Sequence, residues 1–404
     1  MKKRLVVIGN GMAGMRTVEE LLTAAPDKYN ITVFGAEPHG NYNRILLSSV
    51  LCGEKNLADI VINDREWYAD NGICLHAGEH KAVVRIDRTR KQVHAQDGTV
   101  AAYDRLLIAT GSNAVRPDIP GNGLDGVVSF RDIVDVETML AYSRSHNKAV
   151  VLGGGLLGLE AANGLMQRGM DVTVIHNNGI LLNRQLDKPA AKLLQAALEK
   201  RGIKFKMAAK TQALLGDDNG HVRSVTFADG SQLPCDLFVT TVGVRPNIAL
   251  AQASGLYCER GIVVNDTLQS YDPSIYAVGE CIQHRGDTFG LVAPLFEQAK
   301  VCANHLSAHG VAQYITLPTS TKLKVTGINL FSVGDFLGDA HSETIHFTDA
   351  ALGIYKKLVI KAGKLVGAVL YGDTADGSWY QELLERGQDI GGMREGMIFG
   401  RGGV

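Results

Sequence analysis

The chain has 404 residues, of which 45% are hydrophobic and 21% charged, and its formal net charge is −1. These values are typical of a globular protein with about two or three domains. The near-zero charge argues against a broad surface for nucleic acid or anionic lipid, and every apolar run is shorter than the roughly 18 residues that cross a membrane.

The first predicted unit, residues 1–113, opens with a strand, a glycine-rich turn and a helix. Residues 4–8 are the apolar strand, residues 12–24 are the helix, and the turn between them reads Gly9-Asn10-Gly11-Met12-Ala13-Gly14. This is the spacing of a dinucleotide fingerprint, in which the backbone and the helix N-terminus approach a pyrophosphate. The glycines also interrupt the apolar run that a signal peptide needs, so we expect a cytoplasmic protein.

The second strand of this unit is predicted at residues 31–34, and the nearest acid after it is Glu37. An acid at this place binds ribose hydroxyls, so Glu37 is the candidate ligand, two residues beyond the commonest register. A β-meander follows over residues 81–94 with a turn at Asp97-Gly98, and a buried strand ends in Ala109-Thr110-Gly111.

Residues 114–243 repeat this plan. The strand at residues 149–152 leads into Gly153-Gly154-Gly155-Leu156-Leu157-Gly158 and a helix to residue 168. A strand at residues 171–175, a helix at residues 188–201, a hairpin around Asp229-Gly230 and a last strand ending at Gly243 follow. Two fingerprints in one chain indicate two bound dinucleotides, between which electrons can pass.

The residue after the second strand of this repeat is His176. An acid there favours NADH, whereas a cation favours the 2′-phosphate of NADPH. A histidine removes the repulsion that an acid would exert but supplies little fixed charge, and Arg184 lies near enough in sequence to contribute. The choice between NADH and NADPH therefore stays open.

Residues 317–404 carry no fingerprint and are predicted as an α+β module. Strands are expected at residues 322–326, 328–331, 344–347, 355–360 and 364–371, and a helix at residues 378–386.

Residues 267–280 are more specific than either glycine motif. They read Thr-Leu-Gln-Ser-Tyr-Asp-Pro-Ser-Ile-Tyr-Ala-Val-Gly-Glu. This segment resembles the one that returns the chain to the FAD domain in FAD-dependent pyridine nucleotide-disulfide oxidoreductases of the glutathione-reductase type. The resemblance implies an α/β fold with two Rossmann-like dinucleotide-binding domains and a C-terminal α+β interface domain.

The resemblance also implies which part binds which cofactor. The FAD domain would comprise residues 1–113 and 244–316, the NAD(P)H domain residues 114–243, and the interface domain residues 317–404. Thr110-Gly111 and Gly243 match the two strand-end crossovers. Gly279 and Glu280 would hold the ribityl chain of FAD, with glutamate where the family has aspartate. Glu160 would orient the nicotinamide ring, and the helix near Pro294 and Glu297 would point its N-terminus at the flavin.

The family members that reduce disulfides carry a C-x4-C pair, which this sequence lacks. Its six cysteines are scattered without close pairs, which argues against zinc and iron–sulfur sites, so no metal site is predicted. Ser49 stands where single-cysteine members have their thiol, although Cys52 one helical turn further is an alternative redox thiol. Without a thiol, the flavin must pass its electrons directly to another centre.

Residues 42–49 indicate the branch of the family. They read Tyr-Asn-Arg-Ile-Leu-Leu-Ser-Ser and are similar to the N-terminal reductase region of NAD(P)H nitrite reductase large subunits and to the electron-transfer subunit of assimilatory nitrate reductase. Residues 153–160, 184–187, 277–281, 289–294 and 367–374 share this similarity. It implies that Arg44 contacts FAD and that Ser48 and Ser49 lie near the flavin, Ser49 replacing a lysine of the ferredoxin and rubredoxin reductases.

The full large subunits continue with a cysteine-rich 2Fe–2S segment and a sirohaem region, and neither is present in this sequence. We therefore expect that the chain does not reduce nitrite itself, and leave open whether it is a fragment. The hypothesis is hydride transfer from NADH or NADPH to FAD, followed by single-electron transfer to an iron–sulfur, molybdenum or sirohaem reductase subunit. A ferredoxin or rubredoxin reductase, which serves a small iron–sulfur protein, is the alternative; a non-catalytic redox or nucleotide sensor is a third. Neither nucleic acid nor a membrane is an expected partner, and the protein would be a monomer or a homodimer.

Overall fold

The computed structural model describes residues 2–317, 320–322 and 327–403. The chain divides into two compact units. The first comprises Met1–Leu46, Asn56–Asn113 and Gly243–Thr316, and the second comprises Leu47–Lys55, Ala114–Val242 and Leu317–Val404. Residues 47–55 thus group with the second unit, although they lie inside the stretch expected to bind FAD.

The first unit is built on a five-stranded parallel sheet. In order across the sheet its strands are Ile275–Ala277, Arg105–Ile108, Lys3–Ile8, Tyr29–Gly35 and Cys74–Ala77. Leu5, Val7, Val33 and Leu107 are fully buried, as expected for strands covered on both faces. The edge strand Ile275–Ala277 comes from the predicted return segment and pairs beside Arg105–Ile108.

The second unit repeats this sheet. Its parallel strands, in order, are Val127–Ser129, Leu237–Thr240, Lys148–Leu152, Asp171–Ile175 and Lys204–Lys206. In both units the strand that precedes the glycine-rich turn is the central one. The predicted duplication of one nucleotide-binding fold is therefore present, and the α/β fold class is confirmed.

The smaller sheets also match between the units. Each unit has a three-stranded antiparallel meander: Val83–Asp87, Gln92–Ala95 and Val100–Ala102 in the first, and Thr211–Gly216, Val222–Phe227 and Gln232–Pro234 in the second. The first unit adds the strands Ile262–Val264, Ile282–His284 and Asp287–Thr288, and the pair Asn41–Tyr42 and Val61–Asn63. Short strands also occur at Ser112–Ala114 and Val244–Pro246.

The C-terminal part of the second unit is an antiparallel sheet covered by a helix. Its strands, in order, are Thr321–Lys322, Leu330–Gly334, Lys364–Tyr371, Ile354–Lys361 and Glu343–Asp349. Phe331, Leu358, Leu370 and Tyr380 form the centre of its apolar core. Of the strand predicted at residues 322–326, residues 323–326 lie outside the described part of the chain.

Within the described residues, helices α1 to α9 span Met12–Ala24, Leu47–Cys52, Arg65–Asp70, Ile133–Ser145, Leu156–Gln167, Lys188–Lys200, Ala249–Ala253, Val292–Leu306 and Gly377–Arg386. None of the helices in this described part is long and apolar enough to span a membrane.

Candidate functional site

The outer two glycines of the first fingerprint are required by packing within the protein, where a larger side chain would collide with neighbouring atoms. Gly9 has a φ of +111°, and a Cβ atom there would collide with the carbonyl group of Ala109. A Cβ on Gly14 would lie 2.8 Å from the carbonyl oxygen of Gly9 and 3.0 Å from the Cβ of Ala109. These two glycines therefore allow the turn and helix α1 to pack against the strand end at Ala109.

The middle glycine, Gly11, is different. Among the described residues, no atom beyond its chain neighbours lies within 4 Å of the position that a Cβ would take. Gly11 is the N-cap of α1 with a φ of −91°, which any residue can adopt, and no side chain caps the helix. Its backbone thus borders an open cradle at an uncapped helix N-terminus, the environment that a pyrophosphate fits.

The second fingerprint has the same geometry. A Cβ on Gly153 would lie 2.7 Å from the Thr241 carbonyl oxygen, and one on Gly158 would collide with the Gly153 carbonyl. Gly155, the N-cap of α5, again has no atom of the described residues within 4 Å of its Cβ position, apart from its chain neighbours, and no side-chain cap. Helix α5 begins at Leu156, so Leu157 and Gly158 are the next residues of its first turn.

Glu37 lies beyond the second strand of the first unit and is held by two neighbours. The Tyr42 hydroxyl donates to one carboxylate oxygen at 2.6 Å, and the Arg44 guanidinium donates to the other at 2.6 Å. The Arg44 guanidinium also lies 5.2 Å from the centre of the Tyr42 ring. The two predicted FAD ligands, Glu37 and Arg44, are therefore brought together, and Tyr42 is a contributor that the sequence analysis did not single out.

Gly279 and Glu280 lie against the first fingerprint. Gly279 has a φ of +94°, and a Cβ there would lie 3.1 Å from the Cβ of Ala13. Its N–H donates to Gln298 Oε1 at 2.8 Å, and Gln298 is fully buried in α8. The Glu280 carboxylate accepts a hydrogen bond of 2.7 Å from the Ser112 hydroxyl. The return segment is thereby fixed beside the start of α1.

The strand end at Thr110 and Gly111 is tied to the second crossover. The Thr110 hydroxyl donates to the Asn247 carbonyl oxygen at 2.7 Å, and the Asn247 N–H donates to the Gly111 carbonyl at 2.9 Å. Gly243 has a φ of +111°, so this position favours glycine.

Helix α8 begins at Val292, so that Pro294 is its third residue. No side chain caps its N-terminus, which leaves the positive end of the helix dipole exposed to a ligand. At the other end, the Tyr29 hydroxyl donates to the Leu306 carbonyl at 2.9 Å. Glu297 is exposed and pairs with Lys300 at 2.7 Å, so its carboxylate is already engaged on the helix surface.

His176 faces the second glycine-rich turn. Its Nδ1 accepts a hydrogen bond of 3.2 Å from the Gly154 N–H, which requires an unprotonated Nδ1. Burial lowers the pKa of His176, so the imidazole is neutral near pH 7. The nearby Arg184 side chain is exposed. Residue 176, where the sequence predicts contact with a ribose, therefore carries neither an acid nor a fixed positive charge.

Glu160 is a buried residue of α5, with 8% of its surface exposed. On the same helix the buried Asn163 donates from Nδ2 towards Cys52 Sγ at 3.7 Å. The pKa of the Cys52 thiol is raised. Burial is the largest cause of this increase, and the charge of Glu160 adds to it. A neutral thiol is a poor nucleophile, which argues against Cys52 as a redox thiol.

Helix α2, which carries Ser48 and Ser49, packs against α5 within the second unit. Arg168 donates from Nε to the Leu51 carbonyl at 2.7 Å and from Nη2 to the Val50 carbonyl at 3.1 Å. Ser48 is buried and Ser49 is partly exposed. The two serines therefore lie on a helix that the second unit holds in place.

The described residues contain no group of three or more histidine, cysteine, aspartate or glutamate side chains that could bind a metal. Three residues that take part in this geometry had little sequence signal: Tyr42, Ser112 and Asn163. Ser112 follows a predicted cofactor residue directly, which is the signal that could have pointed to it.

Comparison with known proteins gives matches over most of the chain. The profile of the pyridine nucleotide-disulphide oxidoreductase family matches residues 3–305, and that of the rubredoxin NAD+ reductase C-terminal domain matches residues 319–388. In solved structures, the ferredoxin reductase for the CYP199A2 system from Rhodopseudomonas palustris is similar, with a TM-score of 0.87 at 25% identity over 96% of both chains.

Two curated relatives come from Bacillus subtilis. Nitrite reductase [NAD(P)H] is 48% identical over 96% of this chain and 48% of that protein. The assimilatory nitrate reductase electron transfer subunit is 44% identical over 96% of this chain and 50% of that protein. The chain thus spans about half the length of these relatives.

Proposed function

Because the chain belongs to the pyridine nucleotide-disulphide oxidoreductase family, we propose that it is the reductase part of a nitrate- or nitrite-assimilating system. FAD, when bound, supplies the chemistry: it accepts hydride from NADH or NADPH and releases electrons one at a time. The protein would pass these electrons to a partner with an iron–sulfur, molybdenum or sirohaem centre in the cytoplasm.

The observation that carries this proposal is the pair of open cradles at Gly11 and Gly155. In each fingerprint, a Cβ atom on either outer glycine would collide with protein atoms. A Cβ atom on the middle glycine would instead enter space that the described residues leave empty. Each of these middle glycines is also the N-cap of a helix that no side chain caps, and a pyrophosphate that approaches the backbone fits this combination. Two such positions in two units support two dinucleotides.

The same geometry supports roles for individual residues. Gly11, Glu37, Arg44 and Glu280 would bind FAD in the first unit, with Ala109, Thr110 and Gly111 shaping the strand end. Gly155, His176 and Arg184 would bind NAD(P)H in the second unit, and Glu160 would orient the nicotinamide. The grouping of residues 1–46, 56–113 and 243–316 in one unit supports a discontinuous FAD domain. Residues 114–243 and 317–404 would be the other two domains, although residues 114–242 and 317–404 fall together in the second unit.

The neutral, partly buried thiol of Cys52 supports the exit of electrons to another protein. A dithiol or a thiolate beside the flavin would carry electrons as a pair to a disulfide or peroxide. With Cys52 protonated, the chain offers no such relay at this place. Similarity to the two Bacillus subtilis proteins supports a nitrate or nitrite reductase as the partner.

The second candidate is a ferredoxin or rubredoxin reductase. The match of residues 319–388 to the rubredoxin NAD+ reductase C-terminal domain favours it specifically. The two candidates share the reductive half of the reaction and differ in the protein that receives the electrons.

The first experiment tests the shared half. The purified chain, supplied with FAD, is expected to be yellow and to lose its flavin absorbance when NADH or NADPH is added without oxygen. A chain that retains no flavin, or whose flavin is not reduced, would favour a non-catalytic sensor over both enzyme candidates.

The second experiment separates the partners. The reduced protein is mixed with a nitrate or nitrite reductase catalytic subunit and, in parallel, with ferredoxin and with rubredoxin. We expect turnover with the reductase subunit. Turnover with ferredoxin or rubredoxin alone would contradict the main proposal and support the second candidate.

A further inference from the structure

Two strand ends converge beside Glu280. The parallel strands Arg105–Ile108 and Ile275–Ala277 pair so that Ala277 lies opposite Ile108. The segments that follow these two strands both leave the sheet at its carboxyl edge. Ser112 and Glu280, 168 residues apart in sequence, meet there in a hydrogen bond of 2.7 Å from the hydroxyl to Oε2. Ser112 is 9% exposed, so water competes little for this bond.

The backbone that carries Glu280 is fixed from two sides. Gly279 has a φ of +94° and lies close to Ala13, and its N–H donates to the fully buried Gln298. The position of the carboxylate therefore depends on the side-chain torsions of Glu280. A glutamate loses rotamer entropy when it is held in one conformation, so a group that holds it before FAD binds favours binding.

We propose that Ser112 is a positioning residue for Glu280 and thereby sets the affinity of the first unit for FAD. The hydroxyl fixes one carboxylate oxygen before the cofactor arrives. A carboxylate has about four acceptor sites, and the hydrogen bond from Ser112 uses one of them. This inference rests on the proposed assignment of FAD to the first unit.

The test measures FAD binding by apoprotein, through quenching of flavin fluorescence, in Ser112→Ala. We expect the Kd to rise about tenfold, since hydrogen bonds to charged groups are worth more than neutral ones. Ser112→Thr keeps the hydroxyl and should restore most of the affinity. Ser254→Ala is the control, because it removes another hydroxyl of the first unit, which donates only to the Leu250 carbonyl at 2.7 Å.

A double-mutant cycle identifies the partner of the hydroxyl. Glu280→Asp withdraws the carboxylate by one methylene, beyond the reach of Ser112, so adding Ser112→Ala to it should change the Kd less than twofold. An equal loss in both backgrounds would show that the hydroxyl acts elsewhere and would overturn the proposal. The melting temperature of the apoprotein distinguishes a positioning role from a general effect on stability. If Ser112→Ala destabilises the apoprotein by as much free energy as it loses in FAD binding, the proposal is also overturned.

Failure of the proposed function gives a different result. A wild-type chain that binds no FAD overturns the cofactor assignment and this inference with it. A wild-type chain that binds FAD, with a Ser112→Ala variant of unchanged Kd, overturns the positioning role alone.

Discussion

Substitution of Gly155 by alanine should block NAD(P)H without disturbing the fold. Gly155 has φ −86° and ψ −179°, which alanine adopts freely, and no atom of the described residues beyond its chain neighbours is within 4 Å of the new methyl group. The alanine gains about 0.4–1 kcal/mol through the unfolded chain. It loses a comparable amount, about 0.5–1 kcal/mol, as a poorer N-cap. The free energy of unfolding should therefore change little.

The cost to the cofactor is much larger. A methyl group in the cradle pushes the pyrophosphate away from the N–H groups at the start of α5. A hydrogen bond to a charged group contributes about 1.5–3 kcal/mol, so the loss of one weakens binding by up to about 100-fold. This corresponds to about 2.7 kcal/mol, which exceeds the expected change in stability several-fold.

The assay is the reduction of bound flavin by NADH and NADPH in anaerobic stopped-flow experiments. We expect the apparent Kd for NAD(P)H to rise by one to two orders of magnitude, about 10- to 100-fold, with the flavin content unchanged. The matched variant Gly11→Ala should show the converse, a folded protein that loses FAD. Gly158→Ala should destabilise the protein, because its Cβ would collide with the Gly153 carbonyl. An unchanged Kd in Gly155→Ala would refute the assignment of the open cradle to the pyrophosphate.

Three further outcomes are expected. Gly14→Ala places a Cβ 2.8 Å from the Gly9 carbonyl oxygen and should destabilise the first unit by about 1–3 kcal/mol, measured by urea unfolding; equal stability would contradict the packing role. Cys52→Ser should leave flavin reduction and electron delivery unchanged, because the thiol is held neutral by burial; lost turnover in this variant would revive the redox thiol. His176→Asp introduces an acid where the imidazole is neutral and should lower kcat/KM for NADPH relative to NADH by about tenfold or more, as steady-state kinetics would show; an unchanged ratio would place the ribose elsewhere.

Local patterns gave much of the fold. The strand Asp171–Ile175 and helix α1 have the bounds that the sequence predicts, and α6 begins where Asp187 caps it and Pro189 follows. These features depend on residues within a few positions of one another: alternation, glycine turns, N-caps and a proline in the first turn. The glycine spacing alone likewise predicts the positions of both cradles.

The contacts between residues far apart in the sequence could not be predicted from local patterns. Ser112 reaches Glu280 across 168 residues, and Asn163 reaches Cys52 across 111. Such pairs depend on strand order and helix packing, and neither serine nor asparagine has a local pattern that marks a distant partner. The grouping of residues 47–55 with the second unit has the same origin, since α2 is held there by Arg168.

A difference between the two repeats supports the assignment of FAD to the first unit and of NAD(P)H to the second. Both units use their glycines alike, but they differ at the carboxyl ends of the strands. The first unit places two carboxylates there, Glu37 after its second strand and Glu280 after the returning strand, each held by a neighbouring hydroxyl. Carboxylates accept hydrogen bonds from ribose and ribityl hydroxyls, and FAD offers both kinds, whereas a phosphate at either place would be repelled. In the second unit the neutral His176 follows the second strand directly, and Asn177 and Asn178 come next, so no acid there would repel a 2′-phosphate. This asymmetry supports FAD in the first unit and either nicotinamide dinucleotide in the second.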